Sequence, residues 1–238
     1  MKWFVGTSGF SYKEWLGSFY PEKLSAKRML NFYAQHFRSV EMNSTFYRLP
    51  KTSTVEAWTG EVPPDFKIVL KAPQQITHRQ RLKNSAESTK EFLELTAVLG
   101  KRAGPVLFQL PGFIKKDVPL LADFLAMLDG RCRAAFEFRH QSWFEDDAFA
   151  ILKKHQAALC IADAENDLTI PFVSTAKWGY LRLRRTVYKK SELKTWAGRI
   201  AAQKWNEAFV FFKHDDIGRG PKMAGQLLAL AESPPSPR

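Results

Sequence analysis

Eight short segments rich in β-branched and aromatic residues, at 3–7, 39–43, 66–71, 105–110, 134–139, 158–163, 179–184 and 208–213, alternate along the chain with stretches of helical periodicity. That alternation marks repeated βα units and a parallel sheet. Eight such units predict closure, because an eight-stranded barrel fills its own interior with side chains and leaves no open edge. The expected fold is therefore α/β, a closed parallel (β/α)8 TIM barrel with irregular loops on its C-terminal face. A chain of 238 residues is in the usual range for one such barrel. The expected organisation is a single domain over 1–231, followed by a disordered, proline-rich tail over 232–238.

The intervals between the segments carry the outer helices. Leu30, Tyr33, Ala34 and Phe37 recur at helical spacing, as do Leu193, Trp196, Ala197 and Ile200. Leu121, Phe124, Leu125 and Leu128 follow an Asp117 cap and precede Gly130. From 145 to 155, Glu145, Asp146 and Asp147 open a helix that Lys153, Lys154 and His155 close, which complements its dipole. Between the sixth and seventh strands Asn166, Asp167 and Pro171 interrupt any apolar period, so the helix there is expected to be short or absent.

In a barrel, alternate residues of each strand point inward, and the last inward residues meet the loops of the C-terminal face, where barrel enzymes hold their sites. Val40 and Met42, Phe136 and Phe138, and Leu181 and Leu183 face the helices on this count. Glu41, Asn43, Glu137, Arg139, Arg182 and Arg184 then face inward, and by the same rule Lys71, Gln109 and Asp163 join them. Ionisable groups placed where desolvation is costly point to a site. The structural alternative is an ion-pair layer of Glu41 and Glu137 with Arg139 and Arg182, plugging the mouth. As a catalytic set, Glu41, Glu137, Asp163 and His140 are the candidates for proton transfer. Asn43, Lys71, His78, Gln109, Arg139, Arg182, Arg184 and His214 are the candidates for holding an anionic substrate.

His78, His140 and His214 follow predicted strands and, with Glu41, Glu137 or Asp163, could ligate a divalent metal, although no HxH or HExxH spacing supports one. No specific cofactor motif is present. Aromatic residues crowd the loop after the first strand, with Phe10, Tyr12, Trp15, Phe19 and Tyr20, and Phe46, Tyr47 and Trp143 follow other strands. Most are expected to pack loops onto the rim, with Tyr12 and Trp143 expected to reach a ligand.

A formal net charge of +12 favours anionic partners, whether a small molecule or a nucleic acid. Residues 177–199 hold eight basic side chains against the single acid Glu192, and residues 67–83 hold five with no acid. Cys132 and Cys160 have no paired spacing and read as reduced core thiols. With no stretch of transmembrane length and a polar, glycine-rich turn soon after Met1, the expectation is no membrane association and a cytoplasmic location. The sequence leaves the oligomeric state open.

The strand ends also carry a resemblance. Val5-Gly-Thr-Ser-Gly9 with Tyr12 and Trp15, Phe19-Tyr-Pro21, and Val40-Glu-Met-Asn-Ser-Thr-Phe-Tyr-Arg-Leu-Pro50 resemble the YecE-like family, domain of unknown function 72. So do Lys71-Ala-Pro73, Thr77-His78, Leu107-Phe-Gln-Leu-Pro111, Phe136-Glu-Phe-Arg-His-Gln-Ser-Trp143, Ala162-Asp163 and Tyr180-Leu-Arg182. The resemblance implies a TIM barrel with a site at the strand ends and no established reaction. The chain departs from the family pattern by having Arg184-Arg185 in place of His-Gly, and Phe212-Lys-His-Asp215 in place of Phe-Asn-Asn. The expected function is an enzyme acting on a phosphate- or phosphodiester-containing substrate, with a non-catalytic nucleic-acid-binding protein as the alternative.

Overall fold

The computed structural model describes residues 1–164, 168–213 and 217–232. Eight parallel strands form one sheet in the order β1-β8-β7-β6-β5-β4-β3-β2. They are β1 Lys2–Thr7, β2 Ser39–Met42, β3 Lys67–Lys71, β4 Ala103–Gln109, β5 Ala134–Glu137, β6 Ala158–Asp163, β7 Trp178–Leu183 and β8 Glu207–Phe212. The helices between and after them are α1 Met29–Ala34, α2 Ser44–Tyr47, α3 Thr52–Glu61, α4 Ala86–Ala97, α5 Val118–Leu128, α6 Asp146–Lys154, α7 Lys190–Ala201 and α8 Arg219–Glu232. No helix stands among the described residues between β6 and β7, as Pro171 and the lost apolar period predict. Residues 233–238, most of the proposed tail, lie outside the described residues, and α8 runs on to Glu232. No helix among the described residues is long and apolar enough to cross a membrane.

The sheet is nearly closed. At the β1/β2 seam a single bridge joins Ser8 to Glu41, and Gly9 N donates to Glu41 O at 2.8 Å. Below it the Tyr33 hydroxyl, from α1, fills the gap by accepting from Thr7 N at 2.8 Å and donating to Ser39 O at 3.2 Å. A backbone donor and acceptor that a regular ladder would pair are thus satisfied by a side chain. Gly6 makes room for this, since a Cβ there would sit 2.0 Å from Ser39 O and 2.7 Å from the Tyr33 hydroxyl.

Two apolar layers result. Between sheet and helices lies the larger one, containing Val40, Met42, Phe108, Phe136, Leu181 and Phe212. Inside the barrel Phe4, Val69, Leu107, Cys160, Tyr180, Phe209 and Phe211 fill the lumen. Cross-strand register places Gln109 beside Glu137, Lys71 beside Leu107, and Arg182 beside both Ala162 and Phe211, so these polar residues share the inward face. Asp163 does not. It lies opposite Leu183, on the outward register, and its carboxylate takes Arg185 Nε at 2.9 Å. β6 is apolar on both faces, so alternation carries no parity signal there. Cys132 and Cys160 are both free, and burial pushes the Cys132 thiol up to about 12.

Candidate anion site at the barrel mouth

Arg182 stands at the centre of the mouth, 1 % exposed. One terminal nitrogen donates to Glu41 Oε1 at 2.8 Å and the other to Glu137 Oε2 at 2.6 Å. The remaining carboxylate positions are taken as well. Glu41 Oε1 accepts from the Ser8 hydroxyl at 2.7 Å and from Asn43 Nδ2 at 3.2 Å, and Glu41 Oε2 accepts from the Tyr180 hydroxyl at 2.6 Å. Glu137 Oε1 accepts from Arg139 Nε at 2.9 Å.

Burial alone would push both carboxyls up. The Arg182 guanidinium offsets it, helped at Glu41 by the Tyr180 and Ser8 hydroxyls, and holds Glu41 below its ordinary value. At Glu137, Arg182 and Arg139 together bring the carboxyl down to about 2. Both groups are therefore fixed anions at neutral pH. The ion-pair layer named above as the structural alternative is present, and it forms the floor of a cavity.

That cavity, of about 490 Å³, is lined by Ser8, Tyr12, Asn43, Phe46, Tyr47, Lys71, Gln74, His78, Gln109, Arg139, Arg182, Arg184 and Lys213. Ten of the sequence candidates, Glu41, Glu137, Asn43, Lys71, His78, Gln109, Arg139, Arg182, Arg184 and Tyr12, thus meet at the mouth, Glu41 and Glu137 beneath the others. Lys71 is nearly buried, with its Nζ 3.9 Å above the Phe46 ring. Burial and the neighbouring Arg182 bring its amine down to about 8. Arg184 is likewise lowered by burial and by Arg182. His78 reaches the wall on a π-helical turn, Gln75–Arg79, its Nδ1 2.9 Å from the Thr77 hydroxyl and its ring edge-on to Phe46. Burial, Lys71 and Arg139 lower it. Tyr12 donates to Ser8 O at 2.8 Å, and burial beside Glu41 raises it to about 12. Gly9 permits that approach, having φ 95° and no Cβ to meet the Tyr12 hydroxyl.

Three candidates fall elsewhere. Trp143 is 1 % exposed, lies flat on Phe138 with centroids 4.3 Å apart, and donates to Ile114 O at 2.9 Å, so it packs the β5 loop and reaches no ligand. His140 is outside the cavity lining; its Nδ1 accepts from Ser142 N at 3.1 Å, capping the short turn that holds Trp143. Asp163 is committed to Arg185. His214 lies outside the described residues. Among the described residues no three His, Cys, Asp or Glu side chains converge as a metal site, and Glu41 and Glu137 face guanidinium groups instead.

Ser8, Gln74, Tyr180 and Lys213 escape the sequence reading. Tyr180 shares the parity of Arg182 and could have been found from it. Ser8 and Lys213 lie one residue beyond strands, where alternation stops. Within the floor, Arg182 Nε and Asn43 Oδ1 are buried without a hydrogen-bond partner. A layer shaped for stability alone has no reason to leave two such atoms unsatisfied.

The family model described as protein of unknown function DUF72 matches residues 4–238. The chain belongs to the DUF72 family. It is 36 % identical over 116 residues to the UPF0759 protein YecE of Escherichia coli strain K12, a match covering 48 % of this chain and 43 % of YecE. It is 24 % identical to the UPF0759 protein YunF of Bacillus subtilis over 96 % of this chain and 94 % of YunF. A DUF72 protein of known structure from Thermotoga maritima superposes with a TM-score of 0.86 at 26 % identity, over 98 % of this chain and all of that one. A DUF72 structure from Enterococcus faecalis gives 0.82 at 21 % identity, over 98 % and 97 %. These DUF72 structures share the barrel.

Proposed function

We propose that the mouth binds a phosphate-bearing small molecule and that the protein is an enzyme acting on it. One observation carries this reading. Five cations, Lys71, Arg139, Arg182, Arg184 and Lys213, line the cavity, while the carboxylates near it, Glu41 and Glu137, are already held by Arg182 and Arg139. Lys71 and Arg184 have no acidic hydrogen-bond partner among the described residues, and in a desolvated wall each repels the others. A bound anion relieves that repulsion, and guanidinium forks suit phosphate geometry.

The committed carboxylates make poor proton carriers, and Lys71 takes that role. Its amine at about 8 is mostly protonated at neutral pH yet close enough to titration to give a proton to a departing oxygen. Arg182 and Arg184 would stabilise the negative charge that develops. Activity should then fall as pH rises through about 8, with the bound anion moving that limb upward.

Calorimetric titration of the full chain with inorganic phosphate, at low and at physiological salt, tests the binding. The expected dissociation constant is roughly micromolar to low millimolar, corresponding to about 4 to 8 kcal/mol, and weakens with salt. No heat and no thermal stabilisation at saturating phosphate would sink the reading. Tight, steeply salt-dependent binding of single- or double-stranded nucleic acid alongside negligible phosphate binding would transfer the site to the non-catalytic alternative.

A further inference from the structure

A second cavity, of about 300 Å³, adjoins the mouth on the β5–β6 side, and Arg139, Arg184 and Lys213 line both. The cationic group is therefore not at the dead end of a pocket. It stands on the boundary between two spaces, each large enough to take more than a single anion. On the far side the walls among the described residues are Phe138, Ala162, Ala164, Leu168 and Ile170. Glu137 also lines this space, its carboxylate held by Arg139 and Arg182.

Small side chains keep the second space open. Ala162 occupies the inward register of β6 beside Arg182, where β2, β3, β4 and β5 place Glu41, Lys71, Gln109 and Glu137, and Ala164 continues the strand end. On the near side the wall is mixed, with Tyr12, Phe46, Gln74 and His78. A ligand whose charge sits at one end would use only one of the two spaces. A ligand whose charge sits in its middle fills both while keeping its anionic oxygens on the shared cations.

We infer that the ligand is a phosphodiester, held by its internal phosphate at Arg139, Arg184 and Lys213, with one substituent in each cavity. This rests on the reading that the mouth binds phosphate. On the β6 side the substituent is compact and largely apolar, since among the described residues Ala162, Ala164, Leu168 and Ile170 offer it no polar side chain and the Glu137 carboxylate is held by Arg139 and Arg182.

The test compares the full chain's affinity for inorganic phosphate, phenyl phosphate and diphenyl phosphate by calorimetry at one pH and ionic strength. Diphenyl phosphate is expected to bind at least tenfold tighter than phenyl phosphate despite its lower charge. In Ala164→Leu, which narrows only the second cavity, that advantage should disappear while inorganic phosphate binds as before. Ala162→Leu provides the same comparison if the first variant folds poorly. Equal or tighter binding of phenyl phosphate, or an unchanged diester advantage in both folded variants, overturns the inference and leaves the phosphate site standing. Absence of binding by all three ligands overturns both.

Discussion

The two ends of the barrel solve the same problem in opposite ways. At the N-terminal end the lumen is closed by packing. Phe4 and Phe209 stack with centroids 4.7 Å apart, Trp178 meets Phe209 edge-on, and Arg133 lies over both Trp178 and Phe209. Its ion pair, Arg133 with Glu207, keeps both side chains partly in water. At the C-terminal end three charged groups, Glu41, Glu137 and Arg182, are almost wholly buried, and Lys71 and Arg184 stand above them with no acidic hydrogen-bond partner among the described residues. Aromatic closure gains apolar burial at little electrostatic cost. Burying charge costs several kcal/mol per ion before pairing returns any of it. Charge burial at the mouth therefore costs more than packing at the other end.

The largest expected effect comes from breaking the buried centre. Arg182→Ala leaves Glu41 buried with no cationic partner and Glu137 with Arg139 alone, and a loss of about 3–5 kcal/mol in urea unfolding is expected. Joint replacement of Glu41, Glu137 and Arg182 by methionine should return most of that loss. A triple variant as unstable as Arg182→Ala would mean that the charged floor itself supports the fold. Acid sharpens the contrast. Glu137 has its folded value depressed to about 2, so its contribution is full above its unfolded value and is lost as pH falls towards 2. In the glutamine variant at 137, unfolding free energy should vary less with pH over that window.

Lys71→Met is the next largest effect and has the opposite sign. The lysine is held at about 8 against an ordinary 10.5, so the folded state gives up its proton more readily than the unfolded chain does. Below about 8 both states carry the charge and folding bears the whole penalty of confining it. Between 8 and 10.5 the unfolded chain binds more protons, and stability rises with pH. The methionine variant should therefore be more stable than the parent at pH 7 by about 2–3 kcal/mol, converging with it towards pH 10.5. It should also bind phosphate at least tenfold more weakly. A destabilised variant at pH 7 would show that Lys71 has a compensating partner.

The contrast between the ends also explains what could be read from the sequence. The barrel was legible because β-branched and aromatic runs recur eight times, and burial on both faces requires such runs. The inward charges were legible where one face of a strand is plainly apolar, as with Phe136 and Phe138 around Glu137, or Leu181 and Leu183 around Arg182. Parity failed at Asp163, where both faces of β6 are apolar. Trp143 was misplaced because an aromatic residue after a strand reads alike whether it faces a ligand or stacks beneath a loop on Phe138. Tyr33, whose hydroxyl fills the β1/β2 seam, reads as an ordinary apolar helix position. His78 could be placed after β3, but the π-helical turn that aims it has no period to detect. The pairing of Glu41 with Arg182 joins residues 141 apart in sequence, and no local pattern reports it.

Two smaller effects separate binding from folding at the opposite ends. Arg184→Ala removes a mouth cation with no acidic hydrogen-bond partner among the described residues, so folding should be unchanged or slightly improved. Phosphate affinity should fall about tenfold, near 1.4 kcal/mol. Glu207→Gln at the N-terminal end removes the partner of Arg133, but both side chains are partly hydrated, at 38 % and 24 % exposure. Pairs of that kind contribute about 0–1 kcal/mol, and the cation keeps its place over Trp178 and Phe209. Denaturant midpoints should therefore shift by less than about 1 kcal/mol equivalent, with phosphate affinity unaltered. A larger loss of stability here than in Arg184→Ala is compatible with the contrast, because this end is built for packing. A loss of phosphate binding is not, since it would couple the two ends through an apolar lumen that has no charged group between them among the described residues.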